Sequence, residues 1–285
     1  MFVFLNSKLI KGEEASVSLF DHGYMYGLGV FETFRTYQGH SFLLADHLAR
    51  LNASLSELGI KVSLNAEQVH GMVQELLAAN QMKNGDAAVR LTVSAGNGGP
   101  GFSDQVYEEP VISCFLRPIA SPADQKQGQV LQLRRNTPEG AFRMKSSHYM
   151  NNFLAKKELY GKPDTEGIFL TKEDHICEGI VSNVFWVKNG TVFTPAPETG
   201  ALDGITRKFV LALCRKLNVP YKEGFFPLHE LLSAEEAFMT NSVQEVIPFS
   251  KIDIQSFAGK DGAVTQKLKE EYAKYRHALW SRDEL

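Results

Sequence analysis

Tight-turn dipeptides limit the folds open to this chain more than any other feature. Asn189-Gly190 lies between Val184–Val187 and Thr191–Thr194, and Gln38-Gly39 lies between Val30–Tyr37 and His40–Leu44. Asn-Gly and related pairs accept the positive φ that short hairpins require, so neighbouring strands here turn back on one another. A further hairpin is expected at the start, where Asn6-Ser7 joins Met1–Leu5 to Lys8–Ile10. Separate helices interrupt these hairpins. Leu48, Leu51, Leu55 and Leu58 recur at spacings of three and four, which predicts a helix over Ala45–Leu58. Other helices are expected at Ala66–Ala79, Asn151–Tyr160, Ile205–Leu217 and Val264–Trp280. Further strands are expected at Ala87–Ala95, Val111–Leu116, Val130–Arg134, Gly167–Leu170, Glu236–Thr240 and Val246–Ile254. Hairpins mixed with separate helices point to an α+β fold rather than a regularly wound α/β sheet.

Arg117–Gly128 contains two prolines and polar residues without periodicity. It reads as a linker (117–128) between a smaller N-terminal α+β domain over 1–116 and a larger C-terminal domain over 129–285. A formal net charge of -3 and the lack of a basic run give no footing for nucleic acid or an anionic membrane. No apolar stretch approaches the length of a membrane span. MFVFLNSKLI has neither a basic leader nor a small-residue cleavage site, so the expected location is cytoplasmic. Cys114, Cys177 and Cys214 are odd in number and widely spaced. Reduced thiols are therefore expected, rather than a disulfide framework or a zinc pair, and no metal site.

Several segments carry residues suited to chemistry. Lys145 stands in RMKSSHYMNN (Arg143–Asn152), ahead of a predicted helix. It reads either as a solvated loop cation or as an amine that attacks an aldehyde, which partial burial or a cation such as Arg143 would favour. Glu178 opens EGIVSN. It is a solvated turn residue or a carboxylate that keeps a pyridine nitrogen protonated, with Asn183 bracing the turn. LDGITR (Leu202–Arg207) begins a helix, where Gly204 would let an anion approach the first N–H groups and Thr206 adds a hydroxyl. Asp203 or Thr206 could equally be an ordinary cap. Thr240-Asn241-Ser242 is a polar turn or a second cluster of phosphate donors. His47 and Arg50 share a helix face, as a structural ion pair or with Arg50 as a fork for a phosphate.

Taken in order, DHGYMYGLGVFETFR, HLARL, the Lys145 segment, EGIVSN, LDGITR and FMTNSVQEVIP resemble the fold-type IV pyridoxal-phosphate enzymes. That family includes branched-chain aminotransferases, D-amino acid aminotransferases and aminodeoxychorismate lyases. The likeness runs from Asp21 to Pro248. It implies a smaller N-terminal and a larger C-terminal domain, the latter carrying the cofactor lysine, with a pyridoxal 5′-phosphate cleft between them. It also implies a homodimer that completes each site. By the same resemblance Lys145 binds the cofactor covalently and serves as the base, while Glu178 pairs with the pyridine nitrogen. Arg50, Ile205, Thr206 and Ser242 would hold the phosphate, and Tyr149 would contact the phenolic oxygen.

D-amino acid aminotransferases of the family carry an Arg-x-His carboxylate trap. Here Arg90-Leu91-Thr92 is followed by Ser94-Ala95-Gly96-Asn97-Gly98-Gly99, with no such pair. RLTVSAG, KSSHYMNN and FETFRTYQGH are most similar to the lyase branch. That implies conversion of 4-amino-4-deoxychorismate to 4-aminobenzoate and pyruvate, a step of folate biosynthesis. An aminotransferase of branched-chain or D-amino acids using 2-oxoglutarate is the alternative. Arg90 and Arg35 are candidates for binding the substrate carboxylates.

Overall fold

Asn6 and Asn189 both take positive φ, 54° and 50°, and each turns the chain between adjacent antiparallel strands. The computed structural model describes residues 1–82, 85–102, 106–119 and 123–285. The chain forms two units: Met1–Ala120 with Met144–His148 and Arg276–Leu285, and Ser121–Arg143 with Tyr149–Tyr275.

Described residues of the first unit form β1 (Phe2–Leu5), β2 (Lys8–Lys11), α1 (His22–Tyr26), β3 (Gly29–Tyr37), β4 (His40–Ser41), α2 (Leu44–Glu57), α3 (Ala66–Ala79), β5 (Ala87–Ser94) and β6 (Val111–Pro118). The strands make an antiparallel sheet in the order β2-β1-β6-β5-β3-β4. Strand residues alternate between faces. On one face Val30 and Phe34 of β3, with Val89, Leu91 and Val93 of β5, pack against Leu48, Leu51 and Leu55 of α2 and Val69 and Val73 of α3. The leucine stripe of α2 is thus its core face, and truncating one such leucine to alanine costs about 2–5 kcal/mol. Glu32 falls on this same apolar face by strand alternation, so its charge has to be matched locally. Phe31, Thr33 and Arg35 alternate to the other face.

Two distant segments complete the unit. Phe31 N–H donates to Lys145 O at 2.9 Å, and Ser147 N–H donates to Gly29 O at 2.9 Å. The Lys145 segment therefore occupies the edge of β3 that the two-residue β4 leaves open. Sequence order had implied that this lysine belongs to the C-terminal domain, but backbone pairing assigns it to the first unit. Leu43 N–H and Ala45 N–H donate to Leu279 O and Trp280 O, at 3.1 and 2.9 Å. These carbonyls serve the start of α2, whose Leu43 N-cap makes no side-chain cap bond. The final helix accordingly stops at Tyr275 rather than reaching Trp280.

The second unit contains β7 (Lys126–Val130), α4 (Met150–Glu158), β8 (Thr165–Leu170), β9 (Ile176–Gly179), β10 (Asn183–Lys188), β11 (Thr191–Pro195), α5 (Ile205–Lys216), β12 (Tyr221–Gly224), α6 (Leu228–Leu232), β13 (Glu236–Asn241), β14 (Glu245–Ile252), β15 (Gln255–Ser256) and α7 (Ala263–Tyr275). Its described strands run in the order β12-β11-β10-β13-β14-β7-β8-β9, with β15 paired to β14. The strand expected over Val130–Arg134 lies earlier, because Lys126–Val130 finds parallel partners in both β8 and β14. Within 117–128, β6 runs through Pro118 and β7 begins at Lys126, while residues 120–122 lie outside the described residues. Ile168, Val184, Trp186, Met239, Ile247 and Phe249 are buried together in its core.

Cys114, Cys177 and Cys214 are free and buried. Burial pushes each thiol up to about 12, which keeps them protonated and unreactive. Among the described residues, no helix is long and apolar enough to cross a membrane.

Candidate active site

Lys145 is half-buried, and its Nζ lies 4.6 Å from the centre of the Phe31 ring. The Arg90 guanidinium lies 3.3 Å from the centre of the same ring, and its Nε donates to Thr92 Oγ1 at 3.3 Å. The sheet register explains the grouping: Phe31 stands opposite Thr92, and Thr33 opposite Arg90, across β3 and β5. The cation sharing a ring with Lys145 is thus Arg90. Arg143, expected beside the lysine, instead donates to Gly200 O and lies 3.8 Å from Glu178 Oε1. Arg35 is buried and engaged by neighbours of its own unit. Its Nη2 donates to Asp86 Oδ2 at 2.5 Å, its guanidinium stacks 4.4 Å over Tyr37, and its side chain is 8% exposed.

On the helix-facing side of the sheet, Arg50 grips Glu32 through two bonds, Nε to Oε1 at 2.8 Å and Nη2 to Oε2 at 2.7 Å. His47 Nδ1 meets the same Oε2 at 2.7 Å. Burial by itself pushes the Glu32 carboxyl up, but the Arg50 charge and His47 outweigh it and hold it at about 2. Burial pushes His47 down against the pull of Glu32 beside its Nδ1. The bidentate contact fixes the Arg50 fork in one orientation. Glu32 escaped the sequence reading. Its signal was a carboxylate on the core-facing parity of an aromatic-rich strand, with the cation nearest in sequence, Arg35, on the opposite parity.

In the second unit Glu178 sits within β9, not in a solvated turn, and is buried. Its Oε1 accepts from Arg135 Nε at 2.8 Å and its Oε2 from Leu202 N–H at 2.9 Å. Asn183 Nδ2 donates to Leu202 O at 2.8 Å, so the EGIVSN and LDGITR segments are tied together. Gly204 is required at this approach, since a Cβ there would lie 2.0 Å from Asn183 Oδ1. Gly204 is also the N-cap of α5 and offers no side chain to the first-turn N–H groups of Ile205 and Thr206. Asp203 does not cap the helix. It pairs with Arg207 and Lys208, at 3.3 and 2.6 Å.

Thr206 Oγ1 and Ser242 Oγ, 36 residues apart in sequence, meet at 3.3 Å. Nearby in sequence, the buried Thr240 Oγ1 has no hydrogen-bond partner among the described residues. Two converging hydroxyls at an uncapped helix start form a donor set for an anion. Tyr149 is the N-cap residue of α4, makes no side-chain cap bond and is 38% exposed. Lys145 and Arg50 belong to the first unit, and Glu178, Ile205, Thr206, Ser242 and Tyr149 to the second.

An amine on a strand edge, a buried carboxylate and a hydroxyl-lined helix start are the parts an aldehyde-bearing, phosphorylated heteroaromatic cofactor needs. Comparison with known proteins agrees. A family model described as amino-transferase class IV matches residues 29–252. The chain is 45% identical over 275 residues to the aminodeoxychorismate lyase of Bacillus subtilis (strain 168), covering 95% of this chain and 94% of that protein. It is 31% identical to a D-alanine aminotransferase of Bacillus licheniformis, covering 94% and 95% of the two chains. Among solved structures, the branched-chain aminotransferase of Thermoproteus uzoniensis with norvaline matches at a TM-score of 0.87 and 30% identity. That match covers 97% of this chain and 95% of that one. This chain belongs to the class IV aminotransferase family. Its cofactor is pyridoxal 5′-phosphate, which the donor set fits: Thr206 and Ser242 suit the phosphate, and Glu178 suits a protonated ring nitrogen.

Proposed function

We propose that the protein is a pyridoxal 5′-phosphate-dependent lyase that converts 4-amino-4-deoxychorismate to 4-aminobenzoate and pyruvate, a folate-biosynthesis step. The observation that carries this reading is the 45% identity to a lyase across 95% of the chain. The sequence from Arg90 to Gly99, which has no Arg-x-His pair, supports it: Ser94 Oγ at the end of β5 donates to Asp21, and Asn97 Oδ1 accepts from Gly99 N–H.

When bound, the cofactor supplies a protonated aromatic ring that draws electrons from the carbon bearing the substrate nitrogen. Lys145 Nζ would anchor it and, once displaced by the substrate amine, would move the proton at that carbon. Glu178 would hold the proton on the ring nitrogen. Arg50, the Ile205 and Thr206 N–H groups and the Ser242 hydroxyl would hold the phosphate, and Tyr149 would meet the phenolic oxygen. Arg90, held over Phe31, is the candidate for a substrate carboxylate. A second copy of this chain is the expected partner, since Leu19 and Phe102 are 73% and 72% exposed beside exposed Val17, Phe20 and Tyr24. Three buried free thiols suit a reducing, cytoplasmic setting.

The 31% identity to a D-alanine aminotransferase keeps transamination as the second reading. One assay separates them. A lyase releases 4-aminobenzoate and pyruvate over many turnovers without an amino acceptor. If aminodeoxychorismate is inert, while D-alanine or leucine reacts only with 2-oxoglutarate present, the aminotransferase reading replaces the lyase.

A further inference from the structure

Arg135 stands at the end of a segment fixed by its backbone. Leu131 N–H and Arg135 N–H both donate to β8, to Ile168 O and Leu170 O at 2.9 Å. Its side chain is 7% exposed and its guanidinium lies 5.1 Å over the Phe169 ring. From there Nε donates to Glu178 Oε1 at 2.8 Å, while Nη1 donates to Asn151 Oδ1 at 2.7 Å and Asn152 Oδ1 at 3.3 Å. Asn152 in turn donates from Nδ2 to Ile180 O at 2.6 Å, inside the EGIVSN segment. One buried cation thus joins Glu178, the start of α4 and the turn after β9.

We propose that Arg135 is a positioning residue for the Glu178 carboxylate. Its Nε holds Oε1, and Leu202 N–H holds Oε2, so both oxygens are oriented before any cofactor binds. An ionised carboxylate offers about four lone-pair sites, so these two bonds leave each oxygen able to accept again. The guanidinium lies beside a carboxylate that is only 6% exposed and compensates its burial. The role rests on the reading of Glu178 as the partner of the ring nitrogen. The opposing possibility is that Arg135 competes with that nitrogen for the same charge. Geometry favours positioning, because the bond to Oε1 belongs to a network whose other members, Asn151 and Asn152, also fix the guanidinium plane.

The test compares affinities of the apoprotein for pyridoxal 5′-phosphate and for 1-deazapyridoxal 5′-phosphate, in which a C–H replaces the ring nitrogen. Both keep the aldehyde and the phosphate, so their ratio isolates the contact to nitrogen. Equilibrium dialysis is run on the unmodified protein, Arg135→Met, Arg135→Lys and Glu178→Ala, with circular dichroism to confirm folding. The unmodified protein should prefer the nitrogen-bearing ligand, and Glu178→Ala should abolish that preference. Arg135→Met should shrink it about tenfold or more, the scale of one charge-assisted hydrogen bond. Arg135→Lys should retain part of it, since charge returns without the fork. Should Arg135→Met not fold, a preference in Arg135→Lys equal to that of the unmodified protein overturns the proposal. An unchanged or larger preference in folded Arg135→Met also overturns it and marks Arg135 as a competitor. If Glu178→Ala keeps the preference, the reading of Glu178 falls, and the role of Arg135 falls with it.

Discussion

Glu32 in the first unit and Glu166 in the second are almost equally buried, at 1% and 4% exposure, yet their surroundings treat the carboxyl in opposite ways. Glu32 meets a guanidinium fork and an imidazole donor, which hold it at about 2. Among the described residues the hydrogen-bond donors to Glu166 are neutral, Val181 N–H at 3.0 Å and Ser182 Oγ at 2.9 Å, and burial outweighs them and the more distant charges of Lys126 and Lys156 to push it up. Burial alone thus says little about charge; what decides is whether a cation shares the cavity. The two carboxylates also serve different ends. One locks the Arg50 guanidinium in a single orientation, and the other pins the turn that follows Glu178.

The comparison breaks most visibly at Glu32. Glu32→Ala leaves Arg50 and His47 buried beside an empty position, and the expected loss of stability is about 3–5 kcal/mol by urea unfolding. A loss under about 1 kcal/mol would mean that water or another residue replaces the carboxylate. The acid limb gives a second measure. A carboxyl lowered from 4.5 to about 2 contributes about 3 kcal/mol that is present above 4.5 and is lost as pH falls toward 2. Stability measured across that window should drop in the unmodified protein and flatten in Glu32→Gln.

Arg50→Ala should weaken pyridoxal 5′-phosphate binding about ten- to a hundredfold, with pyridoxal, which has no phosphate, little affected. Equal losses for both ligands would make Arg50 structural only. In the second unit a neutral hydroxyl is at stake, so Ser242→Ala should weaken phosphate-dependent affinity by only about three- to tenfold. The smallest effect belongs to Glu166. Its raised carboxyl contributes stability below 4.5 that is lost as pH rises through its folded value, the reverse of Glu32. Glu166→Gln should change stability at neutral pH by less than about 1 kcal/mol while removing that alkaline-going loss. A loss of several kcal/mol at neutral pH would show that the carboxylate charge itself matters.

Lys145, Glu178, Arg50 and the LDGITR start drew attention as a set in order, since each segment alone reads equally well as a loop cation, a turn, an ion pair or a helix cap. The ion pair of Arg35 was not foretold, since its partner Asp86 is 51 residues away. Arg135 drew no notice for a similar reason: its partner Glu178 is 43 residues distant.

The sequence by itself determined the leucine face of α2, the turns at Asn6 and Asn189, and the glycine before α5. Those follow from periodicity and φ preference, which act over a few residues. Tertiary structure alone decided that Lys145 lies on the edge of β3, that Arg50 is locked to Glu32, and that Thr206 meets Ser242. Such contacts join segments 18 to over 100 residues apart, and no local pattern encodes them. They form only when the sheet register and helix packing have brought those segments together.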